Sequence, residues 1–188
     1  GSRYETNKTS GLSHFLEHMF FKGSKKYPNS EIIAGLIEGI GADNNASTNK
    51  EYTTYWIKSS ASHIELAVDI LASQVKESLL LAEEIEKEKG VIIEELKMYK
   101  DNPGSYVGDL YDQLQFGDQP LGWDIGGKES TVKGLKKQDL VNYIKDLYLP
   151  NNMALVFAGK LPANILDLAS QHFADLTGQT KRTFKPYQ

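Results

Sequence analysis

The chain reads as an α+β domain in which a mixed or antiparallel sheet is covered by helices. Two observations predict this. Apolar residues recur at helical spacing along most of the 188 residues, whereas only three short stretches have the β-branched and aromatic composition of strands. Three strands are too few to make a sheet for that many helices, so the sheet is expected to lack its first strands, supplied by whatever precedes Gly1. One domain over residues 1–177 is expected, with 178–188 the polar start of an interdomain linker.

The elements follow in order. Residues 11–21 form a first helix with Ser10 or Thr9 as candidate cap, and Lys22-Gly23-Ser24 ends it. Asn29-Ser30 caps a second helix over 31–39, with Ile32, Ile33, Leu36 and Ile37 at helical spacing. Residues 44–48 and 52–59 read as strands joined by a turn at Asn49-Lys50-Glu51. Ser62 is expected to cap a helix through Val75, and a longer one runs over 82–99 until Asn102-Pro103-Gly104 breaks it. A helix over 107–116, a Gly- and Pro-bearing loop over 117–127 and a helix over 136–147 come next. Pro150-Asn151-Asn152 turns into a short buried strand, 153–158, and a last helix spans 162–176.

Composition narrows the function. Hydrophobic residues are 40%, charged residues 24% and net charge is −4, with lysines dispersed among glutamates, so nothing points to nucleic acid. No apolar run approaches a membrane span. Cysteine is absent, so there is no disulfide framework and no thiolate ligand. That fits a reducing compartment, and a cytoplasmic location is expected. Gly1-Ser2-Arg3-Tyr4-Glu5 does not look like a natural start, and an upstream segment is expected.

His14-Phe15-Leu16-Glu17-His18 carries the chemistry. Histidines four apart stack on one helix face, and at about 100° per residue Glu17 lies roughly 60° to the side of His14. Two imidazoles and a carboxylate so placed suit a catalytic zinc and its base, in the inverted order H-x-x-E-H. The flanking Leu12, Phe15, Leu16, Met19 and Phe20 would also suit a hydrogen-bonded core histidine. A catalytic zinc needs a third protein ligand. On a helix over 82–99, Ile85, Ile92, Leu96 and Tyr99 share a sector. Glu88 and Glu95 lie on its border, and Glu94 points away into solvent. Acids on the edge of a buried face need a partner, so Glu95 or Glu88 is the candidate ligand.

These residues resemble the inverted-motif zinc metallopeptidases, family M16, which include pitrilysin, insulin-degrading enzyme and the mitochondrial processing peptidase. Residues 11–19 match the family signature, Asn45-Ala46-Ser47-Thr48 its Asn-Ala-x-Thr strand, and Val91-Ile92-Ile93-Glu94-Glu95 the segment of its third ligand. Tyr148-Leu149-Pro150-Asn151-Asn152-Met153 and Ala158-Gly159 look like its final strand. The resemblance implies His14, His18 and Glu95 as ligands of Zn2+. Glu17 would be general base to a zinc-activated water, and Glu88 a second acid that orients the site. Asn45, Ala46 and Ser47 would bind an extended peptide substrate, main chain to main chain. It implies hydrolysis of peptides or unfolded segments, completed by a second homologous domain or subunit that closes the cleft. Such a fragment could be inactive alone. The alternative is a non-catalytic partner or scaffold subunit of a two-subunit peptidase, which would be expected to have lost a ligand or the base.

Overall fold

The computed structural model describes residues 1–180, so the expected linker lies outside the described residues from position 181 on. The helices are α1 (Leu12–Met19), α2 (Ser30–Gly39), α3 (Ile64–Glu77), α4 (Ala82–Asp101), α5 (Pro103–Phe116), α6 (Glu129–Gly134), α7 (Lys137–Leu147) and α8 (Ile165–Phe173). Strands β1 (Asp43–Thr48) and β2 (Thr53–Lys58) lie between α2 and α3 and make a two-stranded antiparallel sheet. A helix-rich chain with a small antiparallel sheet is the expected α+β class.

The described chain packs as two compact units. One comprises Gly1–Phe20, Ala46–Thr54 and Leu80–Leu140, and the other Phe21–Asn45, Tyr55–Leu79 and the chain from Val141 on. In the first, α4 is the spine: α1, α5 and α6 each pack against it. Its Ile85, Ile92 and Leu96 are buried, as are Phe15, Leu16 and Met19 of α1 and Val132 of α6. Each such side chain contributes about 1.5–3 kcal/mol of burial. In the second unit, Asn29 caps α2 by accepting from the Ile32 N–H at 2.9 Å. Ile33 and Ile37 then close a core with Tyr27 and Ile70, and α8 packs on α3.

The start of α1 departs from expectation. Neither Ser10 nor Thr9 caps it; the cap position is Gly11, in the left-handed region at φ 92°. The Leu12 N–H donates to the Thr9 carbonyl at 3.0 Å, and two other N–H groups at this end are taken by Glu5. Its Oε2 accepts from the Gly11 N–H and its Oε1 from the Ser13 N–H, both at 2.7 Å, and Oε1 also accepts from the Ser13 hydroxyl. A carboxylate satisfies more of a helix's orphan donors than one hydroxyl can, and its charge suits the helix dipole. Burial pushes the Glu5 carboxyl up to about 7, while the donors from Ser13 and Gly11 hold it down. Gly11 also allows a close approach, because a Cβ there would lie 2.3 Å from the Gly126 carbonyl oxygen.

Other boundaries moved for local reasons. A 3-10 turn over Ala61–His63 precedes α3, and Ser62 does not cap it: its hydroxyl pairs with that of Ser60 at 3.0 Å. Asn102-Pro103-Gly104 does end α4, but Asn102 then caps α5, accepting from the Gly104 and Ser105 N–H groups. With Pro103 in the first turn, α5 begins four residues earlier than its apolar spacing suggested. The helix α6 lies between the expected loop over 117–127 and the expected helix over 136–147, where the sequence pattern predicts no element. Two strands form rather than three. Residues 153–158 are no buried strand: Leu155 and Val156 are 43% and 80% exposed, and no ladder includes them among the described residues. The last helix is Ile165–Phe173, shorter at both ends than expected.

Replacing Glu5 by Ala strands the Gly11 and Ser13 N–H groups in a buried setting. Urea unfolding is expected to show a loss of about 1–3 kcal/mol; a loss below about 0.5 kcal/mol would contradict the capping role.

Candidate metal centre

His14 and His18 stand one turn apart on α1, whose opposite face is sealed by Leu12, Phe15, Leu16 and Met19. Burial on that side and the helical frame together aim both imidazoles at α4. The two rings meet edge to face, 4.6 Å between centroids at 72°. From α4, Glu88 and Glu95 project toward them, seven residues and nearly two whole turns apart.

The atoms that converge are His14 Nε2, His18 Nε2 and Glu95 Oε2. They are separated by 3.3 Å between the nitrogens, 3.4 Å from His18 to Glu95 and 3.8 Å from His14 to Glu95. Ligands about 2.0–2.1 Å from a tetrahedral zinc stand roughly 3.3–3.4 Å from one another, so this triangle is of the right size. Among the described residues it is the one group of three or more His, Asp or Glu that could hold a metal ion. Two imidazole nitrogens and one carboxylate oxygen also suit zinc chemically.

Glu88 fixes one histidine. Its side chain is 3% exposed, and its Oε1 lies 2.8 Å from His18 Nδ1. A carboxylate can only accept, so the Nδ1–H donates and the Nε2 lone pair is left facing the cluster. His14 is different. Burial, reinforced by neighbouring His18, pulls its imidazole down to about 4, against the opposing pull of Glu88. It is therefore neutral at pH 7, as a ligand must be. Its buried Nδ1 has no hydrogen-bond partner among the described residues. The loop beside it is tight: a Cβ on Gly126 would lie 3.6 Å from that nitrogen and 2.7 Å from Leu96 Cδ2.

Glu17 lies to the side, as its helical phase requires, and accepts through Oε2 from the Thr48 hydroxyl. Burial pushes its carboxyl above the ordinary range, the Thr48 donor and His18 oppose that, and Glu95 adds to it. Glu94 points the other way, 73% exposed and paired with Lys97 at 2.7 Å. The Tyr99 phenol is raised by burial and by the adjacent, hydrogen-bonded Glu95.

The structure thus brings together His14, Glu17, His18, Glu88 and Glu95. Asn45, Ala46 and Ser47 lie on β1, with Asn45 and Ser47 exposed and Ala46 half-buried, in the alternation a strand requires. Sequence reasoning gave no role to Thr48, Glu5 or Tyr99. Alternation along β1 puts Thr48 on the same side as Ala46, and that periodicity was the available signal for it.

Comparison with known proteins places the chain in a family. Residues 1–128 match the family described as Insulinase (Peptidase family M16), and 134–188 match the Peptidase M16 inactive domain. A zinc protease of Bacillus subtilis is 38% identical over 183 residues, 97% of this chain and 44% of its own length. The human mitochondrial-processing peptidase subunit beta is 40% identical over 177 residues, 93% of this chain and 36% of its own. Bovine cytochrome b-c1 complex subunit 1 is 35% identical over 179 residues, 95% of this chain and 37% of its own. The chain therefore spans less than half the length of each of these relatives. A protease structure from Helicobacter pylori superposes with a TM-score of 0.88 at 23% identity, over 100% of this chain and 46% of that one.

The buried His14 makes metal-free stability depend on pH. Its folded value, about 4, lies below the ordinary 6.5. Its contribution is therefore complete above pH 6.5 and is lost as the pH falls toward 4. A loss of up to about 3 kcal/mol across that window is expected from unfolding in the presence of a chelator. The His14→Gln variant should lack this component, and an unchanged pH profile in the variant would contradict it.

Proposed function

Because the chain belongs to the insulinase family of peptidases, M16, we propose that it is the zinc-bearing part of a metalloendopeptidase that hydrolyses peptides or unfolded segments. The observation that carries the reading is the convergence of His14 Nε2, His18 Nε2 and Glu95 Oε2 within 4.8 Å of one another. His14, His18 and Glu95 would hold a zinc ion, and Glu88 would orient His18 through its Nδ1–H. A bound zinc supplies Lewis acidity and makes water nucleophilic near neutral pH.

The remaining steps belong to the chain's own side chains. Glu17 is the general base: its carboxylate takes a proton from the attacking water and returns it to the leaving amine. Its raised affinity for protons brings it nearer the working pH than an exposed glutamate would be. Asn45 to Ser47 of β1 would hold substrate in extended form by main-chain bonding to the sheet edge. Side-chain specificity then counts for less than an unfolded conformation. Residues 1–177 would act as one zinc-bearing domain, and a second homologous domain or subunit would close over the peptide, exclude water and position it.

A second reading has an observation in its favour. One relative is a subunit of the cytochrome b-c1 complex, and residues 134–188 match a domain described as inactive. A scaffold or partner subunit has no need of the site, yet His14, Glu17, His18 and Glu95 are all in place. We therefore keep the peptidase reading as the conclusion.

Chelator-competition titration tests it. One zinc per chain is expected, with affinity lowered at least about 100-fold by His18→Ala or Glu95→Ala and unchanged by Glu94→Ala; Glu88→Gln should weaken it about 10- to 100-fold. Equal effects at Glu94 and Glu95 would refute the ligand set. In the full-length enzyme, Glu17→Gln should keep the metal while peptide cleavage falls by at least about 100-fold. Cleavage at the parent rate would remove Glu17 from the mechanism.

A further inference from the structure

The base has a fixed side and a free side. Thr48 closes β1 and Thr53 opens β2, and their hydroxyl oxygens are 3.2 Å apart across the hairpin. The Thr48 hydroxyl also lies against Glu17 Oε2. A hydroxyl has one proton to donate, and the Glu17 carboxylate can only accept. The Thr48 proton therefore goes to Glu17, and the proton between the two threonines must come from Thr53. The result is a directed chain, Thr53 to Thr48 to Glu17, in which each bond polarises the next.

The turn that carries these threonines is itself held. The Asn49 side-chain oxygen accepts from the Glu51 and Tyr52 N–H groups at 2.8 and 2.9 Å, and the Asn49 N–H donates to the Tyr52 carbonyl at 3.0 Å. Outside the turn, the carbonyls of Asn49 and Lys50 accept from the Ser2 and Arg3 N–H groups, both at 2.9 Å. Thr48 is thus presented by a braced hairpin end, while Glu17 comes from a separate helix. Glu17 Oε1 takes no hydrogen bond from the described residues.

We propose that Thr48 is a positioning residue that clamps Oε2 of Glu17, leaves Oε1 as the proton-accepting oxygen, and ties the base to the same strand, β1, on which substrate would add. The proposal rests on the peptidase reading for its catalytic meaning; the clamp itself does not need the metal. Alternation along β1 makes the coupling direct. The backbone of residues 45–47 would carry the peptide, and the next residue inward holds the base, so a slip of the strand would displace both together.

A double-mutant cycle on the metal-free chain, read by urea unfolding with a chelator present, tests the clamp. Thr48→Val is expected to lower the folding equilibrium constant about tenfold or more in the parent, and Thr48→Ser to restore it to within about threefold. In the Glu17→Ala background, Thr48→Val should change it less than about threefold. An equal loss in both backgrounds would overturn the proposal. Should Thr48→Val not fold, the hydroxyl proton of Thr48 in the parent chain reads the same bond. It is expected as a slowly exchanging NMR signal that Glu17→Ala abolishes; a signal unaffected by Glu17→Ala, or none in the parent, overturns the clamp. In the full-length enzyme, Thr48→Val should lower kcat at least about tenfold with KM within about twofold and zinc content unchanged, rescued by Thr48→Ser. A rise in KM alone would overturn the role. Absence of zinc binding in the parent chain, with the cycle intact, would instead refute the peptidase reading.

Discussion

The hydrogen bond from His18 Nδ1 to the buried carboxylate of Glu88 is the constraint on which the site depends. It joins the short helix α1 to the long helix α4 through a charge that the interior would otherwise not tolerate. It also decides which nitrogen of His18 is free. With that tautomer set, the heptad spacing along α4 brings Glu95 to the same two imidazoles, and Glu94, one residue away, is sent into solvent. A one-residue slip of α1 on α4 would turn His18 by about 100° and break the constellation.

Holding α1 against such a slip falls to its buried side and to its start. Leu12, Phe15, Leu16 and Met19 lock the helix against the core. Glu5 accepts from the Gly11 and Ser13 N–H groups, and the Gly11 backbone lies so close to Gly126 that no side chain fits between them. Three separated stretches, 5–18, 88–95 and 124–127, therefore determine where two imidazoles sit. Glu17 is met from a fourth, the hairpin that ends β1, through the Thr48 hydroxyl. Rigid placement of this kind is what turns ordinary side chains into a site, since geometry within a fraction of an ångström separates a metal ligand from a nearby acid.

Much of this was legible in the sequence, for identifiable reasons. The helix α4 could be phased from Ile85, Ile92 and Leu96, and that phase placed Glu88 and Glu95 on the site side and Glu94 outside it. Periodicity alone left the choice of ligand open, and the resemblance to a peptidase family was needed to favour Glu95. What stayed illegible depends on contacts remote in sequence or on chemistry that competes locally. Ser10 and Thr9 looked like caps because hydroxyls commonly cap helices, but a glutamate six residues before Gly11 had the stronger claim. Residues 153–158 have strand composition, yet a strand forms only with a partner, and composition carries no information about pairing. Thr48 lay within a motif whose resemblance spoke of substrate, and its bond to Glu17 spans 31 residues. Single-sequence periodicity cannot see such a distance.

The most direct measurement of the central claim is zinc K-edge X-ray absorption on the chain loaded with one equivalent of zinc. The account predicts a shell of four nitrogen and oxygen ligands at about 2.0–2.1 Å, with the outer-shell scattering of two imidazoles. Replacing His18 by Ala should remove one of them. A six-coordinate oxygen shell without imidazole scattering, or a spectrum indifferent to His18, would mean that zinc sits elsewhere and that the convergence of His14, His18 and Glu95 serves packing alone.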